Sequence, residues 1–184
     1  MNPSEFDEVL RGRRTIGAFR PDDPPREAVL ASLEVFRWAP NHRKTEPWRV
    51  FWLGAETKQQ IVALNTRLIQ ESKGEAAAEA KRKNWSQIPG WLVVTCRRSE
   101  DPFLAEEDYA ACSCAIQNLM LCLWARQIGS KWATGAVTQH AEFASLVGVN
   151  TAVERVIGLI WYGYPEVIPS QTRQPVDAFL VTCS

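Results

Sequence analysis

Apolar side chains recur at helical spacing in four parts of this 184-residue chain. The spacing predicts a short helix over residues 3–12 and a longer one from about Glu56 to Ser72. Another helix begins after the acidic pair Asp22-Asp23 and two prolines, and it ends at Ala39 because Pro40 disfavours helical backbone before it. The polar stretch from Glu71 to Gln87 is rich in Ala, Glu and Lys, which favours helix over linker.

Continuous apolar runs of strand length alternate irregularly with these helices. Buried strands are predicted at Trp48–Leu53, Trp91–Cys96 and Arg155–Tyr162. A weaker signal spans Lys131–Val137, and Phe179–Val181 is compatible with an additional edge strand. This irregular alternation predicts an α+β fold, a sheet with helices packed on its faces, and the length predicts a single domain over residues 1–184.

The segment from Glu106 to Gly129 has the polarity of a helix, with acids at its start and Arg126 and Gly129 at its end. No charged residue occurs between Ala110 and Ala125, so the helix is expected to be covered on all sides. The run is shorter than the roughly 20 apolar residues of a membrane span, and we expect no membrane insertion. A small domain surrounds one helix poorly, so we expect a second copy to cover it in a C2 homodimer.

Composition excludes several classes of function. Basic and acidic residues both number 21, and a chain without net positive charge is a poor general nucleic-acid binder. Five Cys without a CxxC pair, and only two His, argue against a disulfide framework and a metal site. We therefore expect reduced thiols in a cytoplasmic protein without a secretory signal. Nucleotide-binding glycine loops, zinc-protease motifs and a hydrolase nucleophile elbow do not occur, so no catalytic residue is predicted.

Three segments have residues that could bind a ligand. The first is Arg13-Arg14-Thr15, flanked by Gly12 and Gly17; paired guanidinium groups and a hydroxyl suit a phosphate monoester, although a solvated basic loop is the ordinary use of such a sequence. The second is the loop from Arg37 to Trp48, stiffened by proline at both ends. The third is Gly129–Gly135, in which small residues around one Trp allow the close approach of a ligand.

Taken in order, these segments resemble the motifs of the nitroreductase family of FMN-dependent oxidoreductases, and of its small members in particular. Arg13-Arg14-Thr15 matches the family's R-R-S, and the loop that runs APNHRKTEPW from Ala39 matches its A-P…P-W loop. Ser130–Gly135 matches a G-x-W-x-S-G motif, and Gly163-Tyr164-Pro165 matches the G-x-P that ends a late strand. The resemblance extends over about residues 5–180.

The resemblance implies a central, mostly antiparallel sheet and an interlocked homodimer with FMN at the subunit interface. Arg13, Arg14 and Thr15 would hold the phosphate and ribityl chain, with Arg173 as a further phosphate ligand. Other cofactor-binding positions would come from two segments: Trp38 and His42, reaching the flavin from the partner subunit, and Trp132, Ala133 and Thr134, lining it near its ring.

The implied activity is hydride transfer from NAD(P)H through FMN to a small electron-poor acceptor such as a nitroaromatic or a quinone. The chain departs from the family pattern at Gly17, Glu46 and Ala133. These departures keep open a non-catalytic flavin-binding or small-molecule-binding dimer. A cofactor-free dimer held by the apolar helix is the third alternative, and the choice between NADH and NADPH is also open.

Overall fold

The computed structural model describes residues 3–183 as six α-helices and four strands joined by short turns. The helices are α1 (Pro3–Gly12), α2 (Arg26–Phe36), α3 (Ala55–Lys73), α4 (Glu75–Ser86), α5 (Pro102–Trp124) and α6 (Ala141–Val147). The strands are β1 (Trp48–Trp52), β2 (Gly90–Arg97), β3 (Gly129–Ala133) and β4 (Glu154–Gly163).

The four strands form one sheet in the order β1-β2-β4-β3, and every neighbouring pair is antiparallel. The predicted α+β class with an antiparallel sheet is confirmed. The central strands β2 and β4 are buried on both faces, which explains their continuous apolar runs. The edge strands β1 and β3 are only half-buried, so each contains polar side chains.

Helices cover both faces of the sheet. One face packs on α2 and α5 through a cluster that includes Phe36, Ile116, Leu119 and Leu123. The opposite face packs on α3 and α4, where Trp85, Trp91 and Trp161 form a cluster of three rings. Edge-to-face contacts between such rings add to the burial of their area. These three of the chain's eight Trp residues therefore serve packing.

Helix α5 begins at Pro102, four residues before the predicted start, because the side chain of Asp101 accepts hydrogen bonds from the N–H groups of Phe103 and Leu104. The single chain covers α5 on one side only, as expected of a small domain. One face is buried, whereas Ala110, Cys114 and Gln117 on the other face are exposed. Among residues 3–183, no helix combines the length and the apolar character needed to cross a bilayer.

Three other predicted boundaries differ from the structure. Helix α2 ends at Phe36 rather than Ala39, because the backbone tightens into a turn in which Trp38 N–H donates to Val35 O. The predicted helical stretch 71–87 divides at Gly74, whose φ of 83° interrupts α3 and α4. The strand expected over Lys131–Val137 ends at Ala133, where Ala136–Gln139 turns into a 3-10 helix.

The edge strand expected at Phe179–Val181 is wrong. After β4, the described chain forms one isolated bridge, from Pro165 to Phe19, and a 3-10 turn at Val176–Ala178. The N–H groups of Phe179 and Leu180 both donate to Val176 O. The backbone hydrogen bonds of this segment are therefore local and unavailable to a strand partner. The side chains of Phe179, Leu180 and Val181 are all exposed.

We predict that Gly158→Ala destabilises the fold, because the indole of Trp132 lies directly on Gly158 of β4. A Cβ at this position would sit 2.1 Å from Trp132 Nε1, and the ring is held there by a 2.9 Å hydrogen bond to Ile157 O. Overpacking of this kind costs about 1–3 kcal/mol, measured as a lower urea midpoint. Gly54→Ala is the control, since a Cβ there meets nothing within 4 Å. Equal midpoints for the two variants would contradict the contact.

Candidate functional site

The segment Arg13–Ile16 joins the outer edge of β3. Thr15 forms a parallel bridge with Ser130, and the N–H of Ile16 donates to Ser130 O at 3.0 Å. The side chain of Ile16 is fully buried and anchors this junction. The basic segment is thereby fixed at the first residues of an edge strand and does not move freely in solvent.

Beyond this junction the outer edge of β3 is open. Ser130 O points away from β4, and the direction of backbone groups alternates along a strand. The N–H and C=O of Trp132 therefore also point away from β4, toward the open edge. The next two residues, Ala133 and Thr134, are half-buried and exposed, respectively. The strand thus presents main-chain donors and acceptors beside the basic segment.

Three guanidinium groups gather at the start of this edge. Burial lowers the pKa of Arg13, and the nearby cations of Arg173 and Arg14 lower it further. The Nε of Arg13 is buried without a hydrogen-bond partner, while Arg14 donates to the carbonyls of Arg11 and Arg13. Within residues 3–183, no carboxylate forms an ion pair with any of the three. An anion is the missing partner that such a cluster favours.

A cavity of about 370 Å³ lies between β3 and the α3–α4 pair. Trp132, Ala133 and Thr134 line it on one side, and Asn65 and Trp85 line it on the other. Asn65 is buried, and none of the hydrogen bonds within the described chain uses its amide. The predicted β3 residues are thus brought to a single cavity that also contains unused polar groups.

Two lysines give this cavity positive charge. The ammonium of Lys131 lies 4.9 Å from the centroid of the Trp161 ring. Burial lowers the pKa of Lys131, and the charge of Lys81, which also lines the cavity, lowers it further. Trp161 Nε1 is buried without an acceptor, so the cavity wall offers another unused donor. Lys131 is therefore a half-buried cation that lies over an indole ring.

The loop between α2 and β1 is held in a constrained shape. Arg43, Lys44 and Glu46 all have positive φ, which is uncommon outside glycine. The side chain of Asn41 ties the loop together by accepting from Glu46 N–H at 2.7 Å and donating to Thr45 Oγ1 at 3.0 Å. Positive φ at residues other than glycine is strained, so this backbone depends on hydrogen bonds such as those of Asn41 to persist.

Two consecutive acids of α5 fasten this loop to the domain. Thr45 Oγ1 donates to Asp108 Oδ1 at 2.5 Å, and His42 Nδ1 lies 2.6 Å from Glu107 Oε1. Asp108 is buried, and the second oxygen of Glu107 is buried without a partner. Helix α5 therefore fixes the position from which His42 points outward, with 60% of its side chain exposed.

Comparison with known proteins assigns the family. The model of the nitroreductase family matches residues 10–164. YfhC of Bacillus subtilis, whose name assigns it provisionally as an NAD(P)H nitroreductase, is 33% identical over 175 residues, which cover 92% of this chain and 89% of YfhC. This chain belongs to the nitroreductase family.

Solved structures show the nitroreductase fold for the whole chain. A nitroreductase-like family protein from Bacillus cereus superposes with a TM-score of 0.85 at 23% identity, over 100% of this chain and 98% of that one. A provisionally assigned nitroreductase from Desulfovibrio desulfuricans, solved in complex with FMN, superposes with a TM-score of 0.78 at 22% identity, with the same coverage. The α+β fold expected from the family resemblance is confirmed.

The structure brings most of the predicted family residues to β3 and leaves two of them elsewhere. At one end of β3 lie Arg13, Arg14, Thr15 and Arg173, and farther along the strand come Trp132, Ala133 and Thr134. Trp132 differs from expectation in one respect, because its indole is packed on Gly158 and only its main chain faces the edge. Trp38 and His42 do not line the β3 cavity of their own chain, and the ring of Trp38 is 73% exposed.

Sequence reasoning missed the residues that support this candidate site. The sequence pattern places Glu107 and Asp108 at the acidic start of a helix. Their side chains in fact contact His42 and Thr45, which lie 65 and 63 positions earlier in the chain. Lys81 and Trp161 approach Lys131 from other elements in the same way. No local pattern signals such contacts, because only the folded chain brings these residues together.

We predict that Thr45→Val loosens the α2–β1 loop. The variant leaves the buried carboxylate of Asp108 without its donor, which costs about 1–3 kcal/mol for a group of this kind. Tryptic cleavage after Arg43 and Lys44, followed by mass spectrometry, should become several-fold faster. Thr57→Val in α3 is the matched control and should cleave at the wild-type rate. Unchanged cleavage in Thr45→Val would show that Asp108 does not hold the loop.

Proposed function

We propose that this chain is an FMN-dependent oxidoreductase that passes hydride from NAD(P)H to a small electron-poor acceptor such as a nitroaromatic or a quinone. The observation that carries the proposal is the unpaired guanidinium of Arg13 at the start of an open strand edge. The assigned activity of YfhC and the FMN in the Desulfovibrio structure support the same cofactor and donor.

The basic cluster suits the phosphate of FMN. Arg13 Nε and the terminal nitrogens of Arg14 and Arg173 supply charged donors, and the Thr15 hydroxyl adds a neutral one. Burial and the neighbouring cations together lower the pKa of Arg13, and a dianionic phosphate would offset the repulsion between these cations. The proposal therefore assigns the phosphate to this end of β3, with Arg13 and Arg14 as its principal ligands.

The β3 cavity suits the flavin ring. Bound FMN supplies the chemistry of the reaction by accepting hydride from the nicotinamide and donating it to the acceptor. The main chain of Trp132 and the residues Ala133 and Thr134 would orient the ring along the open edge. The ammonium groups of Lys131 and Lys81 would stabilise the negative charge that accompanies reduction, in a cavity that excludes much of the solvent.

The proposed assembly is an interlocked homodimer. From Ala110 to its end, the exposed face of α5 is uncharged, and a second copy of the same face is a complementary cover for it. The exposed apolar tail around Phe179–Val181 would cross to the partner, because its side chains find no cover in their own chain. Trp38 and His42 would then reach the flavin bound by the other subunit, as the family resemblance implies.

Anaerobic stopped-flow mixing tests the proposed activity. Reduced donor mixed with the FMN-loaded protein should bleach the visible absorbance of the flavin, and a nitroaromatic or quinone added afterwards should restore it. Flavin that binds but stays oxidised with both NADH and NADPH would favour the non-catalytic alternative. A protein that takes up no FMN would contradict the whole proposal.

We predict that Arg13→Ala combined with Arg14→Ala releases FMN and leaves the oligomeric state unchanged. Each charged contact to phosphate contributes about 1.5–3 kcal/mol, so affinity should fall by orders of magnitude. Isothermal titration with FMN and gel filtration measure the two outcomes. The control removes two exposed cations elsewhere, Lys73→Ala with Lys83→Ala, and should bind FMN normally. Equal affinity for the two double variants would refute the phosphate assignment.

We predict that Cys114→Glu produces monomers. The substitution places a charge on the exposed face of α5, and burying an unpaired charge at an interface is strongly unfavourable. Light scattering after gel filtration measures the mass. Ala80→Glu introduces the same charge on an exposed position of α4 and should leave the dimer intact. A dimeric Cys114→Glu protein would show that α5 is not the interface.

A further inference from the structure

A second cavity, of about 550 Å³, adjoins the far end of β3. It lies between the first turns of α5, the turn after β3 and the beginning of β4. Thr134 and Thr138 line both this cavity and the smaller one beside β3, so the two cavities are direct neighbours.

Two arginines supply the charge of the second cavity. The guanidinium of Arg155 lies over the Tyr109 ring, 5.0 Å from its centroid. Arg98 donates from Nε to Thr151 O at 2.8 Å, which orients this group and leaves its two terminal nitrogens available. Both arginines are exposed, and these contacts leave terminal nitrogens of each available to a ligand.

Among residues 3–183, no acidic side chain pairs with these two arginines. The cavity lining contains no Asp or Glu, and within the described residues neither Arg98 nor Arg155 forms an ion pair. The nearby carboxylate of Asp108 is buried and accepts from Thr45. The remaining polar lining consists of hydroxyl and amide groups with His140. The balance of charge therefore favours an anionic occupant.

We propose that the second cavity is an oxyanion subsite, in which Arg98 and Arg155 hold the carboxylate or phosphate end of a substrate whose other end reacts in the β3 cavity. This inference rests on the proposed function, because it adds a substrate class to the same site. Paired arginines match a carboxylate or phosphate in shape as well as charge. The apolar wall of Val156 and Ile157 accommodates the uncharged body between the two ends.

Matched substrates locate the anion on the acceptor or on the donor. The acceptors are 4-nitrobenzoate and neutral 4-nitrobenzamide, and the donors are NADPH and NADH, which differ by one phosphate. In each pair, one member has an additional anionic group: the carboxylate of 4-nitrobenzoate or the extra phosphate of NADPH. In the double variant Arg98→Gln with Arg155→Gln, kcat/KM for this member of one pair should fall roughly ten- to a hundredfold relative to the other member. A change confined to the acceptor pair assigns a carboxylate; one confined to the donor pair assigns the phosphate. Unchanged ratios in both pairs would overturn the subsite.

The control variant for these measurements is Arg97→Gln with Lys83→Gln. It removes the same charge from exposed positions that line neither cavity. Its substrate ratios should equal those of the wild type. An equal loss of discrimination in the control would show that net charge, rather than the cavity, selects the substrate, and would also overturn the proposal.

A binding measurement separates this subsite from the proposed activity. The chain has two histidines, and His140 lines the second cavity whereas His42 does not. Titration of the wild-type protein with benzoate, and separately with inorganic phosphate, should shift the ring NMR signals of His140 and leave those of His42 in place. This result does not depend on flavin or turnover, so it stands if the oxidoreductase proposal fails. Unmoved His140 signals with both anions would refute the subsite.

Discussion

The proposed site depends on the junction at which residues 14–16 meet the first residues of β3. The hydrogen bond from Ile16 to Ser130 O, with the buried Ile16 side chain behind it, fixes a basic segment against a strand edge. The indole of Trp132 on Gly158 fixes that strand against β4 from the other side. Together these contacts give the site a rigid frame, so charged donors and main-chain groups are oriented before any ligand binds.

This frame leaves polar groups unused. Buried polar atoms in folded proteins almost always have partners. Among the described residues, the buried side-chain atoms without one are Arg13 Nε, Ser130 Oγ, Trp161 Nε1 and Glu107 Oε2. Three of these atoms are donors, and they belong to the basic segment, to β3 and to the cavity beside it. An anionic ligand accepts hydrogen bonds from such donors. Their distribution therefore favours a phosphate-bearing cofactor over a cofactor-free dimer.

The elements were largely predictable from sequence, and the supporting contacts were not. Apolar runs located β2 and β4 because both faces of these strands are buried, and an ordered set of motifs located Arg13–Thr15 and the β3 residues. The tail at Phe179–Val181 misled the prediction, since an apolar run does not reveal whether a strand edge is available to it. Glu107 with His42 and Lys81 with Lys131 are tertiary pairs that no spacing rule signals. Arg98 and Arg155 belong to this class too, because separate elements bring them to one cavity.

The most direct test of the account compares the affinities of the purified protein for FMN and for riboflavin, which shares the flavin ring and lacks the phosphate. If the guanidinium cluster anchors the phosphate, FMN should bind at least tens-fold more tightly than riboflavin in a calorimetric titration, since each charged hydrogen bond contributes about 1.5–3 kcal/mol. Equal affinity for the two flavins, or no binding of either, would contradict the central claim.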